Sequence, residues 1–244
     1  MNLVADIGNS RTKCAIFRGG ELVESFTTEH LTIPQLEDLQ LRFPSLDKAI
    51  ISTVASVSPG LVSYLKSTFP TFVDFNHQTR VPILNKYQTP ATLGLDRLAA
   101  AVGAHELFPD LDLLVIDAGT AVTFDLVEGN GTFAGGNISP GLRSRFRALH
   151  EFTAKLPLVE ASGEVPVIGQ TTEEAIVAGV VNGMVFEMDG MIDSMKNKMP
   201  EIHTILTGGD AYFFERRLKN RIFVNSEITL IGLNRILEYN VEKQ

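Results

Sequence analysis

The feature that most constrains this chain is a phrase that occurs twice. Near the start stands Leu3-Val4-Ala5-Asp6-Ile7-Gly8-Asn9-Ser10-Arg11-Thr12, and near the middle Leu114-Val115-Ile116-Asp117-Ala118-Gly119-Thr120-Ala121-Val122-Thr123. Each is a short apolar run followed by Asp-x-Gly-x-x-x-Thr. Each leads into a second apolar run, Cys14–Phe17 or Phe124–Val127, and then a Gly-rich turn. One Asp-x-Gly is a turn and little more. Two copies in the same strand context, about half the chain apart, predict an internally duplicated domain.

Strand and helix signals alternate through the rest of the chain. Thr32 with Pro34 opens a helix to about Phe43, and Ser58-Pro59 opens another to Phe69. Ala49–Thr53 and His203–Leu206 read as strands. Leu95–Leu107, Pro140 to about Lys155, Glu173–Met199, Tyr212–Leu218 and Thr229–Tyr239 read as helices. Thr171 and Glu174 match a capping box. The expectation is an α/β fold of two similar halves, residues 1–108 and 109–244, with a ligand cleft between them.

Composition narrows the function classes. Lys plus Arg number 21 against 29 Asp plus Glu, a net charge of −8, which disfavours a phosphate-tracking surface and so nucleic-acid binding. With 44% hydrophobic and 20% charged residues the chain can bury a core. The single cysteine, Cys14, excludes an internal disulfide or a zinc–thiolate cluster. The opening residues lack the basic and apolar regions of a signal peptide, and no run of about twenty apolar residues is evident, so a cytoplasmic protein without a membrane span is expected.

The repeated turns suit phosphate chemistry. An Asp at a strand end can hold a hydrated divalent cation beside a polyphosphate. The Gly after it lets backbone N–H groups approach phosphate oxygens, and Asn9, Ser10, Lys13, Thr120 and Thr123 add donors. Thr207-Gly208-Gly209-Asp210, between a strand and a helix, would let an adenosine lie against the backbone. Gly94-Leu95-Asp96-Arg97 opens a helix, where Asp96 could accept a hydroxyl proton and Arg97 hold an anionic substrate. Ala175, Gly179 and Gly183 form a small-residue stripe that serves either core packing or a dimer seam. Arg143, Arg145 and Arg147 spread around their helix and read as a solvated face.

Taken in order, Asp6–Lys13, Gly94–Arg97, Asp117–Thr120, Gly135-Gly136-x-Ile138-x-Pro140-Gly141-Leu142 and Thr207–Gly209 resemble the type III pantothenate kinases over nearly the whole chain. That resemblance implies two ribonuclease-H-like halves of the actin-like ATPase superfold, a homodimer, and ATP-dependent phosphorylation of pantothenate to 4′-phosphopantothenate, the first step of coenzyme A synthesis. By position it implies that Asp6, Ile7, Gly8, Asn9, Ser10, Arg11, Thr12 and Lys13 form the first ATP-phosphate loop, with Asp6 placing Mg²⁺. Asp96 is implied as general base. Gly94, Leu95, Arg97 and Tyr87 are implied to line the pantothenate pocket, with Thr172 reaching it near the dimer interface. Asp117 is implied as ligand of a monovalent cation, potassium or ammonium, Thr120 as an ATP contact, and Gly208 and Gly209 as the adenosine loop. Position 10 is Ser where Thr is frequent, which keeps the hydroxyl. Two other readings are another actin-fold small-molecule kinase and a catalytically silent accessory factor for transcription.

Overall fold

A computed structural model describes residues 1–8, 11–53 and 58–243. The chain forms two compact units by contact, one of Met1–Asp110, Gly129–Ala134 and Glu227–Gln244, the other of Leu111–Glu128 and Gly135–Ser226. These differ from a single division at residue 108: the last helix and a short central segment belong with the first unit.

In the first unit, β1 (Asn2–Ile7), β2 (Thr12–Arg18) and β3 (Glu21–Thr28) form an antiparallel meander. After α1 (Ile33–Arg42), β4 (Lys48–Thr53) pairs parallel with β1. After α2 (Pro59–Thr68), β5 (Thr71–Asp74) pairs parallel with β4, giving the order β3-β2-β1-β4-β5. β1 is buried on both faces, which is why Leu3-Val4-Ala5 is continuously apolar rather than alternating. One face carries Leu3, Ala5, Cys14, Ile16, Ala49 and Ile51 against Leu36, Leu39, Leu61 and Leu65 of α1 and α2. Burial and the charge of Asp6 push the Cys14 thiol up to about 12, so it stays an inert core group.

A two-residue strand β6 (Leu84–Asn85) and α3 (Leu95–Leu107) complete the first part of this unit. The second unit repeats the plan. β7 (Leu113–Ala118) and β8 (Ala121–Glu128) are antiparallel, and β9 (Thr132–Pro140) lies beside β8. Then follow α4 (Leu142–Glu151), α5 (Thr172–Lys198), β10 (His203–Thr207), α6 (Ala211–Glu215) and β11 (Phe223–Val224). β10 is parallel to both β7 and β11. The order β9-β8-β7-β10-β11 repeats the five-strand order of the first sheet, as the duplication predicts, and β6 adds a sixth strand at the β9 edge. The last helix, α7 (Ile228–Glu242), returns to the first unit.

Two glycines explain where α7 goes. A Cβ on Gly103 of α3 would lie 2.0 Å from the Ile228 carbonyl oxygen, and one on Gly232 would lie 1.8 Å from that of Ala99. The helices therefore touch backbone to backbone. Ile228, Leu230, Leu233, Ile236 and Leu237 are buried, at about 1.5–3 kcal/mol for each large aliphatic side chain. Polar contacts add about 1 kcal/mol each and set the register: Asn2 Nδ2 donates to Asn234 Oδ1 (2.7 Å) and Glu238 Oε1 (2.6 Å), and Lys48 pairs with Glu238 at 3.2 Å.

The helix α5 is long and apolar enough to cross a membrane by length and composition, with mean hydropathy 1.5 over its best window, contrary to the sequence expectation. Half of that window is buried, and Ile176, Val180, Val181, Met184, Met188 and Ile192 pack against Leu114, Ile116, Val122 and Phe124. It is the core helix of the second unit, and its apolar character comes from the buried Ile, Val and Met side chains. Its first turn is capped as expected, with the Glu174 N–H donating to Thr171 Oγ1 at 3.2 Å. The Glu174 carboxylate instead accepts from Gln170 N–H at 2.8 Å, one residue before the cap. Thr171→Ala is expected to cost about 1 kcal/mol, read as a fall of about 2–4 °C in Tm with kcat unchanged.

Candidate active site

The first Asp-x-Gly turn joins β1 to β2. The Gly8 N–H donates to the Arg11 carbonyl at 3.0 Å, and Asp6 stands opposite Lys13 across the ladder. Thr12 is buried, while Arg11 is exposed. Asn9 and Ser10 lie outside the described residues.

Asp96 sits in the first turn of α3 with an exposed side chain. Its Oδ1 accepts the Arg97 N–H at 2.8 Å. A Cβ on Gly94 would come 2.5 Å from that oxygen, so glycine there leaves the Asp96 side chain in this position. Asp96 is close enough to Asp6 to act on it. Burial first, and then the Asp96 charge, raise the Asp6 carboxyl to about 6, with Lys13 and the Ser52 hydroxyl opposing. The carboxylate of the first Asp-x-Gly turn and the expected base, ninety residues apart in sequence, are thus neighbours in the fold.

Beside them Arg97 is 5% exposed. Its guanidinium carbon lies 5.8 Å from the Tyr87 ring centre and 6.0 Å from that of Phe133, and the two rings are 6.1 Å apart. β6 makes this possible. Leu84 and Asn85 pair with Thr132 and Phe133, and Asn85 Oδ1 accepts the Tyr87 N–H at 2.9 Å. Phe133 was not among the sequence candidates. Its only sequence signal is its place after the Gly129–Gly131 turn.

In the second unit the repeated turn is one residue shorter. Asp117 stands opposite Thr123 rather than a residue one further on, so Thr12 and Thr123 are not equivalent. Thr123 Oγ1 donates to buried Asp125 at 3.2 Å. Thr120 is exposed, and its carbonyl accepts from Gly141 N–H (3.1 Å) and Ser144 Oγ (2.9 Å). Gly208, at φ +95°, lies against Asp117: a Cβ there would be 2.4 Å from Asp117 Oδ1 and 2.5 Å from the Ala118 carbonyl oxygen. Both the positive φ and the space demand glycine. The glycine expected in the adenosine loop and the expected cation ligand are therefore neighbours.

Next to that loop is a cavity of about 270 Å³, walled by Leu142, Phe146, Leu158, Val159, Ala161 and Phe213, with Arg143, Arg147, Glu160 and Asp210. Burial raises the Asp210 carboxyl, and the Arg143 charge pulls it back. The three arginines of α4 are thus not one solvated set. Arg143 enters this wall, Arg145 pairs with Glu187 and donates to the Pro140 carbonyl at 2.7 Å, and Arg147 pairs with Glu151 at 3.0 Å. Thr172 is exposed as the first residue of α5, next to the capping Thr171. Among the described residues no three His, Cys, Asp or Glu side chains gather as a metal cluster.

The two sheets of matching strand order and their paired Asp-x-Gly turns have the actin-like ATPase fold. Solved structures of similar fold include a candidate Baf family transcriptional activator from Campylobacter jejuni (TM-score 0.62, 24% identity, 98% of this chain and 99% of that one). Another is the activator of 2-hydroxyisocaproyl-CoA dehydratase from Clostridium difficile with bound ADPNP (TM-score 0.53, 14% identity, 100% and 96%). More specifically, residues 2–194 match the type III pantothenate kinase family, and the chain belongs to it. Relatives bearing that name include proteins of Phocaeicola vulgatus, 50% identical over 98% of this chain and 99% of theirs, and Flavobacterium johnsoniae, 41% identical over 99% of each.

Proposed function

We propose that this chain transfers the γ-phosphoryl group of ATP to the terminal hydroxyl of pantothenate, forming 4′-phosphopantothenate and ADP as the first step of coenzyme A synthesis. The observation that carries the reading is that exposed Asp96 acts electrostatically on Asp6 in the unit that also sets Arg97 beside two aromatic rings. Asp96 takes the hydroxyl proton as the oxygen attacks the γ-phosphorus in line. Arg97 binds the substrate carboxylate, and Tyr87, Gly94 and Leu95 complete the pocket. Ile7, Gly8, Arg11, Thr12 and Lys13, with Asn9 and Ser10, serve the first phosphate loop, and Thr120 the second. Gly208 and Gly209 receive the adenosine, whose base is suited to the apolar cavity beside Asp210.

A hard-oxygen donor suits Mg²⁺, and Asp6 would hold it with phosphate oxygens completing its shell, which neutralises phosphate charge. Asp117, with the Ala118 carbonyl oxygen beside Gly208, suits a potassium or ammonium ion. A homodimer is supported by the face of α5. Among the described residues, nothing beyond the adjoining turns of the helix itself lies within 4 Å of a Cβ on Gly179 or Gly183, and Phe186 is 68% exposed beside them. Thr172, at the start of that helix, would contact pantothenate near such an interface. The low positive charge continues to support a small-molecule rather than a nucleic-acid partner, and a cytoplasmic metabolic role.

Product analysis tests the proposal. Pantothenate incubated with ATP and Mg²⁺ is expected to gain one phosphoryl group by mass spectrometry, while a panel of sugars gains none. Sugar phosphorylation without pantothenate phosphorylation would overturn it. Arg97→Ala is expected to raise KM for pantothenate by about 10–100-fold with a smaller change in kcat, checked by steady-state kinetics in each substrate.

A further inference from the structure

Between α4 and α5 the chain runs through residues 152–171 without helix or strand. Such a stretch has no ladder to satisfy its backbone, so its order depends on the side chains that hold it. The ties fall at identifiable points. The Leu156 N–H donates to Thr153 Oγ1 at 3.4 Å, and His150 Nδ1 lies 2.8 Å from the Leu156 carbonyl. Further on, the Gly163 carbonyl accepts from Arg217 Nη2 at 3.1 Å, and the Pro166 carbonyl from Asn182 Nδ2 at 2.9 Å. Gly163 takes a left-handed φ of +69°, with no atom within 4 Å of a Cβ built there.

Residues 158–161, between the Leu156 and Gly163 ties, form part of the wall of the cavity beside Asp210, and Phe213 of α6 forms another part. Arg217 holds both. Its guanidinium carbon lies 3.8 Å from the Phe213 ring centre, Nη1 donates to the Phe213 carbonyl at 2.6 Å, and Nη2 reaches across to Gly163. A planar fork stacks on a ring and donates to two carbonyls at once, which an ammonium does not. Without it the strap loses its tie to α6. A flat base gains most from a wall that is already in place, because ordering a loop on binding subtracts from affinity.

We propose that Arg217 is a positioning residue that holds residues 158–161 in place to receive the nucleotide base, and so sets the preference for a purine over a smaller pyrimidine. This rests on the reading of the cavity as the base site. The test measures ADP and CDP binding by calorimetry in Mg²⁺, which requires no pantothenate. Arg217→Met keeps an apolar stem over Phe213 and removes both donors, and Arg217→Lys keeps a charged donor without the fork. Gly163→Ala strains the tied turn without touching Arg217, and thermal melting is the fold control. Arg217→Met is expected to weaken ADP about 10-fold, the loss of roughly one charge-assisted hydrogen bond, and to leave CDP within about 2-fold. Arg217→Lys should fall between parent and Arg217→Met, and Gly163→Ala should weaken ADP in the same direction. In turnover, KM for ATP should rise while kcat and KM for pantothenate stay near the parent's. Equal weakening of ADP and CDP, or unchanged ADP affinity in Arg217→Met, would overturn the proposal alone. A parent that binds ADP no tighter than CDP would overturn the reading of the cavity as the base site, and the proposal with it.

Discussion

Replacing Asp96 by Asn is expected to lower kcat by about 10²-fold or more while ATP affinity and Tm stay close to the parent values. The side chain is exposed at the start of α3, one oxygen accepts the Arg97 N–H, and Gly94 makes room for it. An amide keeps the shape and can keep that hydrogen bond through its own oxygen. What it cannot do is take a proton from the attacking hydroxyl. The loss should therefore fall on kcat rather than on either KM. A variant with turnover within a few-fold of the parent would remove Asp96 from its role as base.

The second large effect belongs to Asp6, and its two parts run in opposite directions. Burial and the neighbouring Asp96 charge raise its carboxyl from 3.8 to about 6 in the fold. The folded protein therefore binds more protons than the unfolded chain between those values, and stability falls as pH rises through them. Above pH 6 the ionised group costs up to about 3 kcal/mol; below about 4 both states are protonated and the cost is gone. Asp6→Asn is expected to stabilise the protein by about 1–3 kcal/mol at pH 7–8, with the gain shrinking on acidification and absent near pH 4. The same change should lower kcat by about 10²-fold or more, because a neutral amide cannot replace the carboxylate beside the phosphates and Mg²⁺. Denaturant melts at three pH values, set beside initial rates, measure both parts. A variant less stable than the parent at pH 8 would contradict the electrostatic account of the site.

The duplicated architecture was legible because its signal is local and repeated. The two Asp-x-Gly phrases stand at the same joint of two sheets with the same strand order. Helix starts were legible where a cap or proline announces them, at Pro59 and Thr171. β9 was not, because Gly135-Gly136-Asn137 lacks the β-branched alternation of a strand. The helix expected from Pro140 begins only at Leu142, after Gly141, and ends at Glu151. Residue types alone could not reveal that Asp6 and Asp96 act on one another, or that a two-residue strand pairing carries Phe133 to Arg97. Both depend on contacts between segments far apart in the chain. The one-residue difference between the two Asp-x-Gly turns was likewise hidden, since Asp, Gly and Thr fall at the same spacing in both motifs while the strand registers differ.

The central claim, that this chain phosphorylates pantothenate with ATP at a cation-assisted site, is tested most directly by coupled ADP release with ATP and Mg²⁺, with and without pantothenate, in potassium and in sodium. The account predicts release that requires pantothenate and is faster in potassium. Folded protein that releases no ADP in response to pantothenate in either salt would contradict it.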